Sequence, residues 1–170
     1  MRSRTDRIIQ GIAFWMAMAG GAGLIAALVL TVVSIVGRGL IFAGLGPIPG
    51  DFELVEAGTA FAVLAFMPLC QYHRGHVTVD LFLSGAGRRT NALIDALANL
   101  LMTGAAGVLT WRMLLGMLDK RSYGETTFIL QFPVWWSYAA ALVGAAVFTL
   151  VCAYTVLRSL REAAQGPDGQ

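Results

Sequence analysis

Residues 8–37 read IIQGIAFWMAMAGGAGLIAALVLTVVSIVG, 30 positions without an Asp, Glu, Lys or Arg. The hydrocarbon core of a bilayer is about 30 Å thick, and about 20 apolar helical residues cross it. Arg7 and Arg38 bracket the run, which puts a first membrane span at about 13–36. A secretory leader has an apolar region of roughly 7–15 residues followed by a small-residue cleavage site. This run is far longer and reaches Arg38 without an Ala-x-Ala pattern, so it is expected to stay in place as an anchor.

Three more uncharged runs follow. The second, 57–72, reaches spanning length if its helix starts near Asp51, giving a span at about 52–72 with Glu53 and Glu56 at headgroup depth. Asp51 reads as the N-cap, since a carboxylate there accepts a free backbone N–H and meets the positive end of the helix dipole. The third, 96–111, extends to about 91–116 with Asp95 and Arg112 at its ends. The fourth, 126–157, gives a span at about 132–157, in which Pro133 reads as a first-turn proline. The expected fold is all-α: a single membrane domain over 1–170 with four transmembrane helices. Residues 37–50, rich in glycine and proline, read either as a loop or as a surface helix.

Composition agrees. Of 170 residues 57% are hydrophobic and 13% charged, against roughly 45–50% and about 25% in soluble domains. Mean hydropathy is +0.70. A soluble enzyme and a disordered tail are excluded on these grounds. So is a nucleic-acid binder, because the net charge of +2 forms no basic face to follow a phosphate backbone.

Basic residues set the expected orientation. Arg2, Arg4, Arg7, Arg74, Arg88, Arg89, Arg158 and Arg161 fall on one side, Arg38, Lys120 and Arg121 on the other. The eight-residue side is expected to face the cytoplasm, so both termini lie there. Trp135, Trp136 and Tyr138 stand where the last span enters from the opposite side, as an interfacial aromatic belt does.

Candidate chemistry is sparse. Cys70, His73 and His76 are three apart and Asp80 follows four later, a spacing that could gather metal ligands on one helical face. Gly75 interrupts that face, so a polar turn at the headgroups is the preferred reading and no metal or cofactor is expected. No Ser-His-Asp set, P-loop or dinucleotide fingerprint occurs, and no catalytic residue is assigned. No span holds an ionisable residue near its middle, where charge would ordinarily mark a transport pathway. Small residues four apart, namely Ala17 and Gly21, Ala19 and Gly23, Ala140 and Gly144, and Ala141 and Ala145, predict close helix packing.

Three motifs in order carry a resemblance. Glu53-Leu54-Val55-Glu56 opens the second span, Arg74-Gly75-His76-Val77-Thr78-Val79-Asp80-Leu81 follows it, and Phe132-Pro133-Val134-Trp135-Trp136-Ser137-Tyr138 opens the fourth. Over about 10–160 the chain resembles the small four-span permease subunit, DctQ-like, of tripartite ATP-independent periplasmic (TRAP) transporters. The resemblance implies a bacterial inner-membrane subunit that braces a large multi-span permease subunit. That partner carries the substrate and sodium sites, and a periplasmic substrate-binding protein delivers an organic acid. Membrane lipid is the remaining partner. Glu53, Glu56, His76, Asp80, Pro133, Trp135 and Trp136 become the structural or subunit-interface candidates. The alternative reading is a standalone four-span scaffold without a transport role.

Overall fold

The computed structural model describes the backbone of residues 4–73 and 88–164, and side chains within 4–73 and 97–159. Four long helices make up nearly all of it: α1 Arg4–Gly39, α2 Asp51–Tyr72, α3 Arg88–Tyr123 and α4 Trp135–Ala164. Each is long and apolar enough to cross a membrane. The 22 residues of α2 extend about 33 Å at 1.5 Å per residue, close to the hydrocarbon thickness. Helices are what apolar sequence must form in lipid, because each satisfies its own backbone polar groups.

The helices pack in the order α1, α2, α4, α3. The main contacts run α1 to α2, α2 to α4 and α4 to α3, with a lighter one between α1 and α4. Apolar burial differs little between lipid and helix, so close approach depends on small side chains. On α1 the buried positions Ala13, Ala17 and Gly20 form one stripe at helical spacing. Gly20 lies so near α2 that a Cβ there would stand 2.9 Å from the Cβ of Ala65 and 3.3 Å from the Ala62 carbonyl oxygen. On α4, Ala141, Ala145, Phe148, Val151 and Cys152 are buried. Gly144 backs onto the main chain of α2 at Leu64, whose carbonyl carbon a Cβ would approach to 2.9 Å. Pro68 sits inside α2, four residues on from Leu64. It has no N–H to give the Leu64 carbonyl, so this close helix contact falls where the α2 ladder is broken.

Polar side chains fasten one end of this row. The Asp6 carboxylate accepts hydrogen bonds from the hydroxyls of Tyr72 and Tyr154, each at 3.0 Å, which joins α1, α2 and α4. Gln71 Nε2 donates to Asn99 Oδ1 and to Thr155 Oγ1, both at 3.1 Å. Asn99 Nδ2 donates in turn to Ser159 Oγ at 3.0 Å. That network ties α3 to its neighbours. Farther along, the Thr110 hydroxyl lies 2.9 Å from that of Thr149 and 3.1 Å from the Ala145 carbonyl oxygen.

At the opposite end two sequence expectations are corrected. Asp51 is not the N-cap of α2. Gly50 occupies that position at φ 76°, and the Leu130 side chain fills the space a Cβ there would need. Asp51 instead begins the helix, accepting from the Phe52 N–H at 2.8 Å and from the Ser34 hydroxyl of α1. Pro133 is not in the first turn of α4, which starts at Trp135. It lies in a small hairpin, paired across an antiparallel bridge with Thr126. The cause is local: Thr127 N–H bonds to the Phe132 carbonyl at 2.9 Å and Val134 N–H to the Glu125 carbonyl at 3.0 Å. The uncharged run 126–157 therefore begins as a hairpin. Between α1 and α2, the segment 40–50 is a connection holding one short 3-10 turn, Ile41–Ala43.

Candidate functional site

The candidate residues that fall within the described side chains gather at the Gly50 end, around the α3–α4 hairpin. α3 stops in a Schellman-type cap: Gly124 has φ 62°, its N–H bonds to the Arg121 carbonyl, and the Glu125 N–H bonds to the Lys120 carbonyl, both at 3.3 Å. Lys120 Nζ pairs with Glu125 Oε2 at 2.6 Å across the same turn. The chain then doubles back through Thr127 and Phe132, with Gln131 at φ 55° closing the tip.

Glu53 of α2 holds that tip from the side. Its Oε1 accepts the Ile129 N–H at 2.7 Å and its Oε2 the Leu130 N–H at 3.0 Å. A carboxylate taking two backbone N–H groups is a charge-assisted clamp, stronger than neutral bonds of the same length. Glu56, one turn later on the same face, borders a cavity of about 400 Å³ with Glu53. The cavity reaches past Ala57 and Ala60 to Leu64 on α2, faces Met113 on α3, and is closed by Tyr138 and Ala141 of α4. Farther along the two helices are joined by the Gln71–Asn99 hydrogen bond.

The aromatic pair behaves as two different residues. Trp135 carries the Arg121 guanidinium over its ring, 5.4 Å from the centroid, in a cation–π contact joining α3 to α4. Trp136 packs edge-on against Trp135 and is 57% exposed, facing outward. Glu53, Glu56 and the Phe132–Val134 strand of the hairpin are thus brought together, Pro133 within the bridge and Trp135 and Trp136 just beyond it. His76 and Asp80 lie outside the described residues. So does part of the Cys70, His73 and His76 spacing; among the described residues no group of His, Cys, Asp or Glu side chains is placed to hold a metal ion.

Some contributors were not singled out in the sequence. Thr127, Ser137 and Met113 line the cavity beside the carboxylates. At the far end, Asp6, Gln71, Asn99 and Thr155 form the fastening network. A signal existed for Asn99, a buried-bonding amide inside an apolar run, where a polar side chain needs a partner helix.

Carboxylates and amides here bond to backbone groups and to neighbouring helices. Residues 27–162 match the family described as tripartite ATP-independent periplasmic transporters, DctQ component. No curated protein and no solved structure matches. The matched region takes in the last third of α1, all of α2 and α3, the hairpin, and α4 nearly to its end. The chain is a multi-pass membrane protein and belongs to the DctQ component family of TRAP transporters, as a small membrane subunit.

Proposed function

We propose that this subunit braces the large permease subunit in the bacterial inner membrane, with both of its own termini cytoplasmic, during sodium-driven uptake of an organic acid. A periplasmic binding protein delivers the acid, and the large subunit binds and moves it. The observation that carries this reading is the pairing of uncharged span centres with two unpartnered apolar helix faces. α1 and α3 stand at the two ends of the packing order. Ile25, Leu28 and Val32 on α1 and Leu101, Val108 and Leu109 on α3 are each more than half exposed. A carboxylate or sodium ion finds no counter-charge at the middle of these spans, and an unpaired charge there is costly. A large apolar partner finds two flat faces held at fixed depth.

In this proposal Glu53 and Pro133 shape the hairpin, Trp135 and Trp136 anchor it at the interface, and His76 and Asp80 belong to the subunit's contacts with its partner. The test is co-purification: the tagged chain, extracted gently from its native membrane, should bring down a large multi-span protein in stoichiometric amount, and deleting the chain should abolish uptake. A chain that purifies alone, with uptake intact after its deletion, supports the standalone scaffold instead.

A further inference from the structure

We propose that the cavity between α2, α3 and α4 seats one acyl chain of an aminophospholipid, whose primary ammonium is held by Glu56 and Glu53. The shape of the cavity selects a lipid. Its lining on α2 runs from Glu53 to Leu64, about 16 Å along the helix axis at 1.5 Å per residue. That is close to one leaflet, half of a hydrocarbon core about 30 Å thick. The volume of about 400 Å³ falls in the roughly 300–1,000 Å³ range of ligand-binding cavities. A single protein side chain entering from the mouth would leave most of that depth empty.

Polarity is graded along the same axis. The deep part is Ala57, Ala60, Leu64, Met113 and Ala141, with no charge; the carboxylates are at the mouth. Small residues, Ala57 and Ala60 on α2 and Ala141 on α4, leave room there. The headgroup follows from charge. Two carboxylates, Glu53 and Glu56, line the mouth, and the lining holds no Lys or Arg. Glu53 is already shared with two backbone N–H groups, whereas Glu56 is exposed at the rim and free to accept from a cation. A primary ammonium donates three hydrogen bonds; an anionic glycerol headgroup would meet only repulsion. The site uses this chain's residues alone and does not depend on the transport reading.

The experiment is native mass spectrometry of the full chain released from nanodiscs. The discs contain equal amounts of phosphatidylethanolamine and phosphatidylglycerol with identical acyl chains. One phosphatidylethanolamine per chain should be retained, favoured over phosphatidylglycerol about tenfold or more, the worth of one hydrogen bond to a charged group. Glu56→Gln should bring the two lipids to near parity. Ala60→Phe, which fills the deep part while keeping the rim, should remove the retained lipid with helicity unchanged by circular dichroism. Equal retention of both lipids by the wild type, or unchanged retention in either variant, overturns the proposal.

Discussion

Replacing Gly144 with Ala adds one methyl group and should cost more than the same change at Gly20, Gly21 or Gly23. The new Cβ would stand 2.9 Å from the Leu64 carbonyl carbon and 3.0 Å from both its oxygen and its Cβ. Favourable carbon contacts lie near 3.5–4.0 Å, so α4 and α2 must part by roughly 0.5–1 Å along a main-chain contact that cannot swing aside. Overpacking of this kind costs about 1–3 kcal/mol, and the upper half of that range applies because two of the three atoms are backbone. Gly20→Ala should cost less, about 1–2 kcal/mol, since its nearest neighbour is the Ala65 Cβ at 2.9 Å. Gly21 and Gly23 are the controls. Their added Cβ atoms would meet Phe66 Cζ at 4.0 Å and Phe61 Cδ1 at 3.8 Å, ordinary contacts. Both changes should be neutral or slightly stabilising, because Ala is the better helix former by about 1 kcal/mol. The assay is reversible unfolding in mixed micelles of rising SDS fraction, followed by circular dichroism. A neutral Gly144→Ala, or a Gly23→Ala as damaging as Gly144→Ala, would refute the packing described for α2 and α4.

Three further outcomes are expected. Asp6→Ala should destabilise by about 1–3 kcal/mol in the same assay, because the hydroxyls of Tyr72 and Tyr154 lose their acceptor; Asp6→Asn, which keeps a carbonyl, should cost less. Glu53→Ala should speed amide exchange at Ile129 and Leu130 by about tenfold or more as a charged acceptor is lost, leaving α4 amides unchanged; equal protection in the variant rejects the clamp. With Cys70 and Cys152 removed, cysteines at Ser3 and Arg88 should react with an impermeant thiol reagent only after lysis and one at Gly46 in intact spheroplasts; external labelling at Arg88 reverses the orientation.

The helices were legible because lipid enforces a simple rule: a run free of charge and long enough to cross becomes a helix. Packing was legible only in type. The four-residue pairs marked Ala17 with Gly21 and Ala19 with Gly23, and Gly21 and Gly23 do border α2 at Phe66 and Phe61; the buried stripe of Ala13, Ala17 and Gly20 was not distinguished from them, since a spacing of four recurs on every face of a glycine-rich helix. Gly144 was within reach. Its partner was not, because the decisive feature is a carbonyl freed by Pro68, a main-chain property that side-chain patterns do not encode. The start of α4 was misread for a similar reason. Proline fits a first helical turn and a turn preceding it equally well, and the choice at Pro133 is made by backbone bonds to Glu125 and Thr127. Glu53 was singled out on motif grounds, while its role depends on Ile129 and Leu130, 76 and 77 residues away. The Asp6 cluster was overlooked because the acid sits among arginines that read as headgroup charge.

The central claim is that this subunit is needed for transport and takes no part in choosing the substrate. Reconstituted uptake with two competing organic acids tests it, comparing wild type with Glu56→Ala, Asp80→Ala and Arg112→Ala in complexes that assemble normally. The account predicts slower uptake with an unchanged ratio between the two acids. A variant that assembles normally and shifts that ratio would put part of the binding site in this chain, and the bracing role would fail.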